Sequence, residues 1–106
     1  MIVVSNEKEA FITVDGQKLY GLQDLLLWIY NSSKDDFYYH FAGKHFSNWI
    51  RESLKEERLA KRIEEAKNKE EVIKILEEYL KNYEKYNKRK YKREEAEIEF
   101  IKNFEL

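Results

Sequence analysis

Cysteine and proline are absent from this 106-residue chain, and methionine occurs once, glycine three times. The missing cysteine excludes thiolate metal sites and thiol nucleophiles, and says nothing further about the redox compartment. Long apolar runs are lacking too: Met1-Ile2-Val3-Val4 gives way at once to Ser5-Asn6-Glu7. That is too short for a signal peptide or a membrane span, so a cytoplasmic protein with no membrane partner is expected. Neither sign of charge dominates, since 20 basic residues meet 21 acidic ones for a net charge of −1. Dedicated nucleic-acid proteins are usually basic overall, so this balance argues against one. Labile side chains are scarce while lysine and glutamate dominate the 39% charged fraction. That composition marks hyperthermophile proteins, and a thermophilic archaeal source, cellular or viral, is expected.

What is present is a core. A hydrophobic fraction of 42% with 15% aromatics excludes global disorder, and a chain of this length buries a core without metal or disulfide staples. The expected fold is mainly α with a small N-terminal β-hairpin (α+β): a compact domain over 1–80, with the hairpin and four helices, then a long C-terminal helix. Residues 81–106 are expected to form a basic helical extension and an apolar, acidic tail.

Along the chain, AFITVDGQKLY at 10–20 reads as strand, Asp15-Gly16 turn and strand. A lone hairpin is marginal, so it must lie on the helices or pair with residues 2–4. Leu22, Leu25, Leu26 and Ile29 then recur on one face of a helix through about Tyr30. Ser33 and Asp36 make a capping box for a third element, Ser53 and Glu56 one for a helix carrying Leu59, Ile63 and Ala66, and Asn68 and Glu71 one for a helix carrying Val72, Ile73, Leu76 and Leu80.

The rest of the chain is organised around residues 37–50, FYYHFAGKHFSNWI, where six aromatics and both histidines crowd into fourteen positions. Phe37, His40 and Phe41 share a helix face, with Tyr38 on its flank and Tyr39 turned away. Ala42-Gly43 is expected to end that helix, with Gly43 in the left-handed conformation. Phe46, Trp49 and Ile50 share the face of the next helix. His40 and His45 stand five apart with no third ligand at a recognisable spacing, so no metal and no cofactor is expected. A structural His40, bonded to a backbone carbonyl or a tyrosine hydroxyl, is the expected role.

The order Phe11, Asp15-Gly16, Leu22, Leu25-Leu26, then Phe37-Tyr38-Tyr39-His40, Phe46-Ser47-Asn48-Trp49-Ile50-Arg51 and Leu59-Ala60 resembles a family of small archaeal and bacterial domains of unknown function. The resemblance spans about residues 9–80 and implies no activity, substrate or cofactor. The family usually has Asp before the Phe of its second motif, where this chain has His45. A weaker helix cap, or one supplied by another residue, is therefore expected there.

Beyond residue 80 the charge separates. Residues 81–93 carry a net +6 and residues 94–106 a net −4. In the basic belt Lys85, Lys88, Arg89, Lys90, Lys92 and Arg93 interleave with Tyr86 and Tyr91, which suits RNA or single-stranded DNA by charge and stacking. A solvated helix whose cations pair with the following glutamates accounts for the same residues. The tail at 96–106 holds Ile98, Phe100, Ile101, Phe104 and Leu106, in a pattern that fits strand or helix, and would fold back, dock or self-associate.

Three functional readings follow. The first is a non-enzymatic binding or adaptor module for a protein or ribonucleoprotein, working through residues 81–93 and the tail. The second is a ligand-binding or enzymatic domain with a pocket lined by Tyr38, His40, His45, Asn48, Trp49 and Arg51. The third is a structural or viral inhibitory protein that forms homo-oligomers through residues 96–106. No catalytic residue is assigned.

Overall fold

The computed structural model of this protein describes residues 2–84. After a 3-10 turn at Glu7–Glu9 come β1 (Phe11–Ile12), β2 (Lys18–Leu19), α1 (Leu22–Asn31), α2 (Lys34–Ala42), α3 (His45–Glu52) and α4 (Glu57–Glu65). A fifth helix, α5, occupies residues 69–84. The mainly helical fold with an N-terminal hairpin is the one the sequence implies. Residues 85–106, with the basic belt from Lys85 onward and the whole tail, lie outside the described residues.

The hairpin is antiparallel, Phe11 opposite Leu19 and Ile12 opposite Lys18. Its turn closes through Thr13 N–H to Gln17 O at 2.9 Å and Gly16 N–H to Thr13 O at 2.9 Å. The N-terminal segment extends it: Val3 bridges Gly21, and Val4 N–H donates to Tyr20 O at 2.8 Å. The hairpin therefore meets both of its expected supports, because the strands also turn Phe11 and Leu19 inward onto the helices.

One core runs through the domain. Leu22, Leu25 and Ile29 of α1, Phe37 of α2, Phe46 and Ile50 of α3, Leu59 and Ile63 of α4, and Val72 and Leu76 of α5 are all buried. Each such side chain contributes about 1.5–3 kcal/mol when removed from water. Polar ties hold α5 to the rest: Lys69 Nζ donates to Ser32 O at 2.6 Å, Tyr30 Oη to Glu77 at 3.0 Å and Tyr79 Oη to Glu56 at 2.6 Å.

The helix starts divide into formed and unformed caps. The Ser33 hydroxyl accepts from Asp36 N–H at 3.1 Å and Asn68 Oδ1 from Glu71 N–H at 2.9 Å, as their spacing implies. The expected box at Ser53 and Glu56 does not form. Ser53 instead ends α3, its N–H donating to Trp49 O at 2.8 Å, and α4 begins only at Glu57. Between them Leu54 is fully buried and Lys55 takes a left-handed φ of 60°, so burying Leu54 overrides the local capping signal.

Candidate functional site

The aromatic stretch forms α2, a tight corner and α3, and the corner is made differently from the sequence expectation. Gly43 is right-handed, with φ −78°, while Lys44 takes the left-handed turn at φ 60°. Glycine is needed at 43 for room. A Cβ there would stand 2.5 Å from His45 Nε2 and 2.8 Å from Cε1, because the imidazole lies across the backbone. Lys44 caps α3 without a side-chain hydrogen bond, in line with the weaker cap expected beside His45.

His40 points inward from α2 and is 3% exposed. Aromatic edges and faces surround it, with ring centroids of Phe11 at 5.0 Å, Trp28 at 5.4 Å and Phe46 at 5.4 Å. Its partners are neither the carbonyl nor the tyrosine hydroxyl that the sequence suggested. Val14 N–H, at the hairpin tip, donates to His40 Nε2 at 2.9 Å, and His40 Nδ1 meets His45 Nδ1 at 3.0 Å.

These contacts assign the protons. A backbone N–H can only donate, so Nε2 of His40 carries a lone pair and the ring's hydrogen sits on Nδ1. His40 Nδ1–H then donates to His45 Nδ1, which leaves the His45 hydrogen on Nε2. An added proton on either ring would oppose two N–H groups, so the pair is neutral. Burial, and next the His45 ring, lower the His40 pKa, against smaller opposing effects from Asp36 and Asp15. Metal ligation by His40 Nδ1 would need its hydrogen on Nε2, facing the Val14 N–H, so this arrangement opposes metal binding. Among the described residues no cluster of three or more metal-ligating side chains occurs.

Asp15 fastens the hairpin tip over this pair. It accepts from Trp28 Nε1–H at 3.0 Å, from Gln17 Nε2–H at 2.8 Å and from the Thr13 hydroxyl. The Thr13 hydrogen bond, and then that of Trp28, lower its pKa. Sequence reading took Asp15 as a turn residue only; its second role depends on a tryptophan thirteen positions away.

Beside these groups runs a cleft of about 380 Å³ between residues 10–14 and the helices, where Tyr39, His40, His45 and Trp49 line the helical side. Of the six pocket residues read from sequence, His40, His45 and Trp49 are brought together. Tyr38 packs half-buried on Phe37 and Phe41, with ring centroids at 5.1 and 6.1 Å. Asn48 is exposed, and Arg51 is committed to α4: its Nε donates to Glu57 at 2.9 Å, its Nη2 to Glu64 and its Nη1 to Asn48 at 3.4 Å. Neither Asn48 nor Arg51 lines the cleft, although Asn48 stands one helical turn from His45 in α3. Tyr39, expected to turn away, is 58% exposed and stands at the cleft mouth with Ile12 and Val14.

The candidate nucleic-acid residues Lys85, Tyr86, Lys88, Arg89, Lys90, Tyr91, Lys92 and Arg93 lie outside the described residues. Among the described residues no helix is long and apolar enough to cross a membrane. Comparison with protein-family models, curated proteins and solved structures finds no match for this chain.

Proposed function

We propose that this chain is a non-enzymatic binding module that engages a protein or ribonucleoprotein partner. One observation supports the reading above others: at the cleft that holds both histidines, the imidazoles are spent on each other and on Val14, while apolar side chains stand in water around its mouth. His40, the only base suited to neutral pH in the sequence reading, has both nitrogens engaged inside the fold. Ile12, Val14 and Tyr39 at the rim are 55%, 49% and 58% exposed. Apolar groups gathered at a cleft favour association over proton transfer. Arg51, the anion-holding group of the enzymatic alternative, is already paired with two carboxylates.

A cytoplasmic site of action and the resemblance of residues 9–80 to small archaeal and bacterial domains belong to the same proposal, and neither adds an activity. The test is a pull-down of the tagged full chain from lysate of its source, with and without nuclease, beside a Val14→Asp/Tyr39→Asp variant. A nuclease-resistant protein held by the parent and lost by the variant is the expected result. RNA that nuclease removes, and that a Lys88/Arg89/Lys90/Lys92/Arg93-to-Gln variant fails to hold, would move the binding function to residues 81–93. Retention of nothing would overturn the reading.

A further inference from the structure

We propose that the outer edge of β1 is a docking strand, and that the cleft beside it takes an extended, uncharged peptide segment of a partner protein. This rests on the binding-module reading and names the kind of partner it would take.

The ladder sets which way the edge faces. Thr13 N–H donates to Gln17 O, and Phe11 stands opposite Leu19, so residues 11 and 13 direct their main-chain groups at β2. Alternation turns the N–H and C=O of Ile12 the opposite way, toward α2 and α3. Val14, of the same parity as Ile12, shows the direction, because its N–H reaches His40 Nε2 at 2.9 Å. In the 3-10 turn before the strand Trp49 Nε1–H donates to Glu9 O at 2.7 Å, which ties the chain to α3 there. A helix side chain thus stands in for a neighbouring strand at Val14, and the edge at Ile12, short of it, lines the cleft. Main-chain groups displayed on a strand edge template another extended segment.

The lining selects the occupant. With both imidazoles neutral, none of the described residues lining the cleft carries a formal charge, in a chain that is 39% charged. A carboxylate or phosphate entering it would lose hydration and meet no counter-charge. An extended backbone with apolar side chains on alternate positions matches instead: its amides meet Ile12, and its side chains meet the exposed Ile12, Val14 and Tyr39. At about 380 Å³ the cleft is near the small end of the usual range of roughly 300–1,000 Å³, so it admits a short segment rather than a folded module.

The probe is a five-residue valine–threonine peptide, acetylated and amidated, titrated to several millimolar into the ¹⁵N-labelled full chain. A second copy of the peptide is N-methylated at its centre. The expected result is a saturable shift of the Ile12, Val14 and Tyr39 amides and of the Trp49 indole, weakened at least tenfold by N-methylation and by Tyr39→Asp, and unchanged by Leu27→Asp on the far face of α1. Ile12→Pro, which removes the edge donor, gives the same loss; Tyr39→Asp carries the test should that variant misfold. Equal binding of the methylated peptide, shifts confined to other elements, or no shift at all would overturn strand addition. Loss of the free edge into a dimer, seen as a concentration-dependent mass, would assign the edge to a second copy of this chain and overturn it too. If the peptide fails while a lysate partner is still held by the parent and lost by Val14→Asp/Tyr39→Asp, the binding-module reading survives without this inference.

Discussion

Gly43 exists to seat His45: the imidazole lies so close over the corner that a methyl group on Gly43 would stand 2.5 Å from Nε2. The glycine's own φ of −78° is open to any residue, so the constraint is steric and not conformational. Gly16 is the reverse case, with φ +85° and nothing within 4 Å of an added Cβ.

Gly43→Ala should therefore cost about 1–3 kcal/mol of stability by overpacking. The cost should vanish against a His45→Ala background, where the methyl group has space. Denaturant unfolding of the four proteins of this cycle measures it; an equal cost in both backgrounds would show that the corner itself, and not the ring, demands glycine. Gly16→Ala should cost about 1–2 kcal/mol in either background, through its left-handed backbone.

Stability should decline as pH falls through the His40 titration. The folded state lowers the His40 pKa, so the unfolded chain binds a proton first. The contribution is complete above the unfolded value of about 6.5 and is lost as pH falls from there through the lower folded value. Asp36 on α2, Asp15 at the hairpin tip and the His45 ring face the group and shape the shift. Thermal unfolding between pH 8 and 5 tests it, with His40→Gln expected to flatten the upper part of the profile. The lowered pKa of Asp15 adds a further loss below the ordinary carboxylate value of about 3.9, outside that window.

Asp15→Ala should leave the Trp28 indole N–H, on a side chain 5% exposed, without its acceptor. A stranded buried donor costs about 1–3 kcal/mol. Trp28 emission should shift at the same time, because the hairpin tip loses its fastening, whereas Asp24→Ala at an exposed position should leave the emission in place.

The two serine boxes should respond differently. Ser33→Ala removes a formed cap and should cost about 1 kcal/mol. Ser53→Ala removes a hydroxyl that starts no helix and should stay within about 0.5 kcal/mol. Equal effects would show that the Ser53 box forms in solution.

These contrasts mark where sequence reasoning succeeds. Periodicity located the buried faces of α1, α3 and α4, because burying Leu22, Leu25, Phe46, Ile50, Leu59 and Ile63 dominates the local energetics. It placed a capping box at Ser53 because that motif is local, while the burial of Leu54 in the core, which overrides it, is not encoded in any local motif. The cleft was half legible. His40, His45 and Trp49 could be grouped from one aromatic stretch, but Val14 and Asp15 enter from a hairpin more than twenty residues away, through a backbone amide that no motif records. Asn48 and Arg51 were added by proximity in sequence, but Glu57 and Glu64 from α4 claim Arg51, and Asn48 meets the same guanidinium, through partners that lie later in the chain.

The claim on which the functional reading stands is that both histidines are neutral and committed to each other. Long-range ¹⁵N–¹H spectra of the imidazole nitrogens near pH 7.5 test it directly. His40 should carry its hydrogen on Nδ1 and a lone pair on Nε2, and His45 its hydrogen on Nε2. A His40 carrying its hydrogen on Nε2, or a doubly protonated ring at either position, would contradict it and return the cleft to acid–base chemistry.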